Sequence, residues 1–158
     1  MPGHTIKRID EMEAIAFGSF KRARAELGIS GFGMNVMDLP PNNDLYPEHD
    51  HAGDGMEEVY VALTGSGEIE IDGERHRLDP ETMISVKPGV SRKVYTGDEP
   101  LRMLIVGGVP GQAYEAPEVS ELGTPDTFSE PLLEQLEAQG QDVSALRAQL
   151  EGAQASAG

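Results

Sequence analysis

The sequence contains no cysteine. This absence excludes thiolate zinc sites, iron–sulfur clusters and cysteine nucleophiles, and it says nothing against the cytoplasmic location that we expect. No apolar run approaches the roughly 18 residues that a membrane-spanning helix needs. The stretch "MPGHTIKRIDEMEAIAFG" has acids and a glycine where a signal peptide needs an unbroken apolar core. We therefore expect neither a signal peptide nor a membrane span.

Positive charge is also scarce, with 12 Lys and Arg against 28 Asp and Glu and a net charge of −16. A surface this acidic repels phosphate backbones and anionic lipid, so we expect neither nucleic acid nor a membrane as a partner. Residues 115–158 contain nine acids and one basic residue, Arg147. This asymmetry indicates a separate C-terminal appendage.

The 158 residues correspond to one domain with an appendage. In residues 1–30, "TIKRIDEM" is predicted to be a first strand or an extended lead-in, and "SFKRARAELG" a short helix. Ser19 can cap this helix, and Gly28 stands where a C-terminal glycine belongs. We expect this N-terminal part to pack on the domain that follows.

The middle of the chain, from Gly31 to about Val109, has short segments of period two separated by Gly, Pro and Asp. The Asp72-Gly73 pair suits a two-residue hairpin turn that needs positive φ. The predicted strands lie in "GFGMNVMDL", "EEVYVAL", "GEIEIDGERHRL", "TMISV", "SRKVYT" and "LRMLIVGG". Six or more strands without an intervening helix predict an all-β sandwich or barrel, which we place at residues 31–114.

The appendage, residues 115–158, is predicted to combine an acidic, proline-rich strap with two short amphipathic helices. Ser129 can cap the first helix and Asp142 the second. Both helices are too short to be stable alone in water, so their apolar stripes must dock on the same chain or on a second subunit. The final residues, "AQASAG", are predicted to be disordered.

Two histidines and a glutamate form a candidate metal site. His49 and His51 are two positions apart, so on a strand their imidazoles project from the same face. In the next strand, alternation places Glu58 and Tyr60 on one face and Glu57 on the face of the valines. We therefore select Glu58, not Glu57, to complete a two-histidine, one-carboxylate set, which suits iron, manganese, zinc or nickel.

The stretch "HDHAGDGMEEVYVALTGSG" resembles the first sequence motif of the cupin superfamily, with His49, His51, Glu58 and Gly65 at the motif positions. A second motif of that family, built around a Pro-x-Gly turn, is recognisable in "ETMISVKPGVSRKVYT". The resemblance covers roughly residues 31–110. It implies a single double-stranded β-helix barrel, jelly-roll-like, with its site in the barrel mouth.

Two departures from the cupin pattern concern the site. Six residues separate His51 from Glu58, against three or four in the family, so "AGDGM" forms a longer loop over the site. The position of the family's fourth ligand, a histidine, carries Arg92. A guanidinium has no lone pair to offer a metal, but it can form a fork with Glu58 or with an anionic ligand. His4 and His76 are predicted to be ordinary surface histidines.

These features leave three functions open. In the first, a metal-dependent enzyme acts on a small polar substrate; the resemblance implies dioxygenase, isomerase or decarboxylase chemistry, with Tyr60 as a candidate proton donor. In the second, a non-catalytic and metal-free module holds a small anion against Arg92. In the third, the leucine-striped tail serves a protein–protein interaction. The sequence has no phosphate-cradling loop before a helix, so we expect no nucleotide cofactor.

An apolar strip on the outer face of one strand predicts self-association. Val59, Val61 and Leu63 share that face, and small cupins commonly pair through their outer sheet faces. We expect a homodimer built symmetrically from the same patch on each chain. The alternative is that the chain's own N-terminal helix or tail covers the strip.

Overall fold

The structure is a computed structural model that describes residues 3–157. It contains nine strands, three α-helices and two 3-10 helices, Ile9–Glu11 and Glu118–Ser120, within those residues. The strands are β1 (Ala14–Ile15), β2 (Phe20–Lys21), β3 (Gly33–Leu39), β4 (Glu57–Gly65), β5 (Gly67–Ile71), β6 (Glu74–Leu78), β7 (Met83–Val86), β8 (Arg92–Tyr95) and β9 (Leu101–Gly108). The helices are α1 (Ala23–Leu27), α2 (Ser129–Ala138) and α3 (Ser144–Ala157).

The strands form two antiparallel sheets. The larger sheet has the order β1-β2-β3-β9-β4-β7, and the smaller has the order β6-β5-β8. Apolar side chains of both sheets share one core, which includes Tyr60 and Met103 from the larger sheet and Ile69 and Val94 from the smaller. The expected all-β, jelly-roll-like fold is confirmed.

Two turns of the middle segment behave as their residues predict. Asp72 and Gly73 connect β5 to β6 with φ of 50° and 81°, as a two-residue hairpin turn of this type requires. Gly65, the motif glycine at the end of β4, has φ of 75°. A Cβ at Gly65 would lie 1.9 Å from the carbonyl oxygen of Pro100, so a larger residue cannot fit without moving the backbone.

The N-terminal part differs from the prediction. Phe20 and Lys21 are not helical but form β2, because they pair with Met37 and Val36 of β3. Ser19 is therefore not the helix cap, and its Oγ donates to the carbonyl oxygen of Ala16 at 2.7 Å. Gly28 ends α1 in the left-handed conformation, as predicted. The stretch "TIKRIDEM" contains no strand. It is a lead-in that includes the 3-10 helix Ile9–Glu11.

The tail docks on its own chain. Leu133, Val143 and Leu150 of the tail form a buried cluster against Phe17 of the N-terminal part, which answers the alternative that the sequence left open. The helix α3 extends to Ala157, into the segment for which the sequence predicts disorder, and residue 158 lies outside the described residues.

The cap of α2 also differs from the prediction, whereas that of α3 follows it. The carboxylate of Asp126, not the hydroxyl of Ser129, accepts the amide hydrogens of Phe128 and Ser129 at the start of α2. Asp126 also accepts the amide of Ala16 at 3.1 Å, which ties the tail to the N-terminal part. At the start of α3, Asp142 accepts the amide of Ser144 at 3.0 Å, as expected.

A buried arginine anchors the strap. Arg22 is 2% exposed, and its guanidinium donates to the carbonyl oxygens of Val119 and Thr124 at 2.9 Å each. It also pairs with Glu13.

None of the helices within residues 3–157 is long and apolar enough to cross a membrane.

Candidate metal centre

Backbone hydrogen bonds position the two histidines at one end of the sheets. The amide of His49 donates to the carbonyl of Arg92 at 3.0 Å, and the amide of Arg92 donates back at 2.9 Å. The amide of His51 donates to the carbonyl of Pro88 at 2.7 Å. These bonds hold the "HDH" segment against β8 and the turn that precedes it, so both imidazoles approach β4.

The alternation of β4 places the glutamates as predicted. Glu58 and Tyr60 point inward, at 8% and 0% exposure, whereas Glu57 lies on the outer side, where its carboxylate pairs with Lys87 at 3.1 Å. Glu58 thus has the inward orientation that its selection as a ligand requires, and the outer position of Val59 follows from the same alternation.

The three predicted ligands converge. One nitrogen of His49, one of His51 and a carboxylate oxygen of Glu58 all lie within 4.8 Å of one another. The Nε2 of His51 is 3.1 Å from Oε1 of Glu58, and the Nε2 of His49 is 3.9 Å from the same oxygen. Ligands that each lie about 2.1 Å from a shared metal are separated by roughly 3 Å, so the spacing is close to that of a coordination shell.

The other nitrogen of each imidazole has an acceptor. The Nδ1 of His49 lies 3.0 Å from the carbonyl oxygen of Pro47, and the Nδ1 of His51 lies 3.1 Å from the carboxylate of Asp54. A carbonyl and a carboxylate accept hydrogens, so each Nδ1 is the donor, and in a neutral ring the Nε2 lone pair is free. The buried Nε2 of His51 has no hydrogen-bond partner among the described residues. The donor set therefore fits a divalent transition metal.

The carboxylate of Asp54 is in the form that this arrangement requires. Burial acts to raise the pKa of Asp54, but the amide of Met56 and the ring of His51 outweigh burial and lower that pKa below its ordinary value. The carboxylate therefore stays ionised at neutral pH and can accept the hydrogen from Nδ1.

Arg92 occupies the interior, as the motif correspondence predicts. Its side chain is fully buried, and NH1 lies 3.7 Å from Oε1 of Glu58. Its NH2 donates to the carbonyl oxygen of Lys87 at 3.0 Å, but Nε and NH1 have no hydrogen-bond partner within residues 3–157. A buried guanidinium with two unused donors needs an anion, and Glu58 is the nearest.

Two tyrosines complete the inner wall. The hydroxyl of Tyr60 donates to Oε1 of Glu58 at 2.9 Å. Burial raises the pKa of Tyr60 far above its usual range, and the neighbouring Tyr46 and Glu58 raise it further. Burial likewise raises the pKa of Tyr46. Both hydroxyls therefore remain protonated at neutral pH and act as hydrogen-bond donors.

Tyr46 and Asp54 were not among the predicted site residues. Asp54 lies in the longer loop that the motif spacing reveals, so the loop was the available signal, although nothing local shows which loop residue meets His51. Tyr46 has no such signal. The remaining histidines, His4 and His76, are exposed and away from the site, as predicted.

Comparison with known proteins agrees with this geometry. Residues 35–107 match the sequence model of the cupin domain family. A cupin protein from Bacteroides fragilis superposes with a TM-score of 0.60 at 21% identity, over 74% of this chain and 93% of that chain. At this level of identity, the likeness is evidence for the fold alone.

Other solved structures give lower scores. The cupin domain of an XRE family transcriptional regulator from Enterobacter cloacae has a TM-score of 0.46 at 20% identity, over 52% of this chain and 86% of that chain. The DMSP lyase DddQ from Ruegeria pomeroyi has a TM-score of 0.46 at 24% identity, over 58% of this chain and 45% of that chain. The comparison with curated proteins found no match. Residues 35–107 thus match the cupin domain family, and within them His49, His51 and Glu58 form a group that could hold a metal ion.

Proposed function

We propose that this protein is a cytoplasmic, small-molecule-binding cupin that holds one divalent transition metal, iron, manganese, zinc or nickel, through His49, His51 and Glu58. The observation that carries the proposal is the convergence of three ligand atoms within 4.8 Å, with both Nδ1 atoms committed elsewhere. Three protein ligands leave coordination positions for a small molecule, and a metal bound there supplies Lewis-acid activation of that molecule.

Arg92 gives the site a preference for anions. Within the described part of the chain its buried Nε and NH1 have no hydrogen-bond partner, and NH1 lies beside Glu58, so a carboxylate or a similar small anion would satisfy these unused donors. Tyr60 is the candidate proton donor expected from the sequence, but its raised pKa and its hydrogen bond to Glu58 favour a role as a hydrogen-bonding wall for the same molecule. A polar, anionic small molecule is therefore the proposed ligand, and catalysis of the dioxygenase, isomerase or decarboxylase type would use these same groups.

A metal-free binding module is the second candidate, and a specific observation favours it. The oxygen Oε1 of Glu58 already accepts a hydrogen bond from Tyr60 and lies 3.7 Å from Arg92. These two groups compensate the glutamate charge without a metal. In this form the protein would exchange the Arg92–Glu58 contact for a contact between Arg92 and the anion.

Metal content separates the two candidates. Untagged protein is analysed by elemental mass spectrometry as purified and after reconstitution with each metal, and affinity is measured by calorimetry. We expect one metal per chain, its loss in His51→Ala and Glu58→Ala, and near-normal binding in Glu57→Ala, the matched control of the same charge on the outer face. Equal losses from the two glutamate variants would contradict the inward assignment. No metal after reconstitution would favour the metal-free module.

We also propose that the protein is a homodimer through the outer face of the larger sheet. Helix α1 and the lead-in cover Val36, whereas Leu63 and Met83 remain 37% and 73% exposed. A depression of about 440 Å³ lies on this face, lined in part by Val59. The strand β7 ends the sheet, so its outer edge is unpaired within residues 3–157, which favours association with a second copy.

A further inference from the structure

The loop between the proposed metal-ligating residues His51 and Glu58 contacts one of them, His51, directly. Residues 52–56 form the longer loop, and Asp54 is the loop residue whose side chain reaches the site. Both carboxylate oxygens of Asp54 lie 3.1 Å from Nδ1 of His51. The loop thus touches the metal centre through one side chain rather than only spanning it.

Local hydrogen bonds hold the carboxylate of Asp54 in that position. Its Oδ1 accepts the amide hydrogen of Met56 at 3.0 Å. The amide of Gly55 donates to the carbonyl oxygen of His51 at 2.8 Å, and Gly55 has φ of 75°, which a glycine adopts without strain. The turn therefore closes on the histidine and presents Asp54 to its ring.

The contact determines which nitrogen of His51 is available. The carboxylate accepts the Nδ1 hydrogen, which leaves the Nε2 lone pair of the neutral ring directed towards Oε1 of Glu58 at 3.1 Å. That oxygen is itself an acceptor and already receives the hydroxyl hydrogen of Tyr60. Two acceptors at this distance repel each other unless a cation or a proton lies between them. The Asp54 contact thus prepares the pair to bind a cation.

We propose that Asp54 is a positioning residue for the metal centre, acting through His51. It holds the imidazole in the tautomer and orientation in which Nε2 is a ligand, and it makes metal affinity depend on the conformation of loop 52–56. This inference rests on the proposed metal function. Loss of an equivalent outer partner of a ligating histidine lowers metal affinity by about 10- to 100-fold.

The test compares two aspartates of the same segment. Asp54→Ala removes the contact with His51, whereas Asp50→Ala removes the same charge from a carboxylate that accepts the backbone amide of Ala52 and has no hydrogen bond or ion pair with a histidine within residues 3–157. Affinity for zinc and for nickel is measured by competition with a chelator. We expect a 10- to 100-fold loss in Asp54→Ala and less than a threefold loss in Asp50→Ala. Equal losses would show a general charge effect and overturn the proposal.

A second measurement uses the metal-free protein, so its outcome does not depend on metal function. Nitrogen-15 spectra of the histidine rings report the tautomer of His51. We expect the Nδ1-protonated form in the wild type and a mixture in Asp54→Ala. Asp54→Asn retains an acceptor oxygen, so it should restore the tautomer and bind metal more tightly than Asp54→Ala.

The outcomes of the two measurements are distinct. A wild-type protein that binds no metal but shows the Asp54-dependent tautomer would refute the metal function and leave the Asp54–His51 contact intact. An Nδ1 of His51 without hydrogen in the wild type, or no gain in affinity from Asp54→Asn over Asp54→Ala, would refute the positioning role.

Discussion

Replacing Arg92 with histidine tests the feature that distinguishes this site from the cupin pattern. The guanidinium is fully buried, and its NH1 lies 3.7 Å from Oε1 of Glu58, so it competes with a metal for that carboxylate and repels the metal's charge. Arg92→His removes the competing charge and supplies an imidazole nitrogen at the position of the family's fourth ligand. We therefore expect tighter metal binding.

The magnitude follows from the separation of the charges. Two unit charges about 4 Å apart interact by about 4 kcal/mol at the effective dielectric constant of about 20 that describes charged sites in proteins. Reorganisation and entering water reduce the part of this energy that a substitution at Arg92 releases. A gain of at least tenfold in affinity requires only about 1.4 kcal/mol, well under half of the pair's interaction.

Arg92→Met serves as the matched control, because it removes the charge and fills similar space but offers no nitrogen ligand. Calorimetry with zinc and nickel should give the affinity order Arg92→His, then Arg92→Met, then wild type, while affinity for small carboxylates falls in both variants. Thermal unfolding confirms that each variant is folded. Equal affinities of the two variants would refute the correspondence of residue 92 with the fourth ligand. An unchanged affinity in Arg92→His would refute the competition between Arg92 and the metal.

Three further predictions concern stability and assembly. Gly65→Ala should lower the free energy of unfolding, measured with urea, by about 3 kcal/mol. Gly73→Ala, whose Cβ meets no described atom within 4 Å, should lower it by only about 1 kcal/mol. Similar losses in the two variants would contradict the close approach at Gly65. Hydrogen bonds to the carboxylate of Asp126 outweigh burial and lower its pKa below the ordinary value of 3.8. Ionised Asp126 therefore stabilises the folded state fully above that pH, and this stabilisation is lost as the pH falls through the lowered pKa. Acid titration should therefore destabilise the wild type more than Asp126→Asn, and parallel curves would refute this assignment. Met83→Lys should convert the proposed homodimer to a monomer in light scattering, whereas Leu122→Lys, at an exposed apolar residue elsewhere, should not. A wild-type monomer at micromolar concentration would refute the proposed homodimer.

Local pattern alone was sufficient for the inner face of β4 and for the hairpin that follows it. Side chains alternate strictly along a strand, so the inward position of Glu58 and the outward position of Glu57 follow once one face is assigned. The turn at Asp72 and Gly73 likewise depends on the φ values that those two residues tolerate. Both properties are set by neighbours in sequence, so they could be predicted without the fold.

Tertiary contacts decided the features in which the prediction was wrong or incomplete. Phe20 and Lys21 belong to a helical pattern, but pairing with β3 supplies backbone hydrogen bonds and burial that outweigh a weak helix preference. Asp126 displaces Ser129 as the cap of α2, and its carboxylate also binds the distant amide of Ala16.

The contacts that complete the site are of the same kind. Spacing and a known motif predicted that His49, His51 and Glu58 converge. Glu58 follows the alternation of β4, whereas His49 and His51 lie outside the strands, in a segment held by backbone hydrogen bonds to Arg92 and Pro88. The motif position predicted that Arg92 faces Glu58, as the structure has it, but only the folded chain shows that the loop brings Asp54 to Nδ1 of His51. The sequence by itself indicated the candidate ligands, whereas the tertiary structure determined the hydrogen-bond partners of their imidazoles, because the conformation of the loop, not the spacing in sequence, decides which group meets each ring nitrogen.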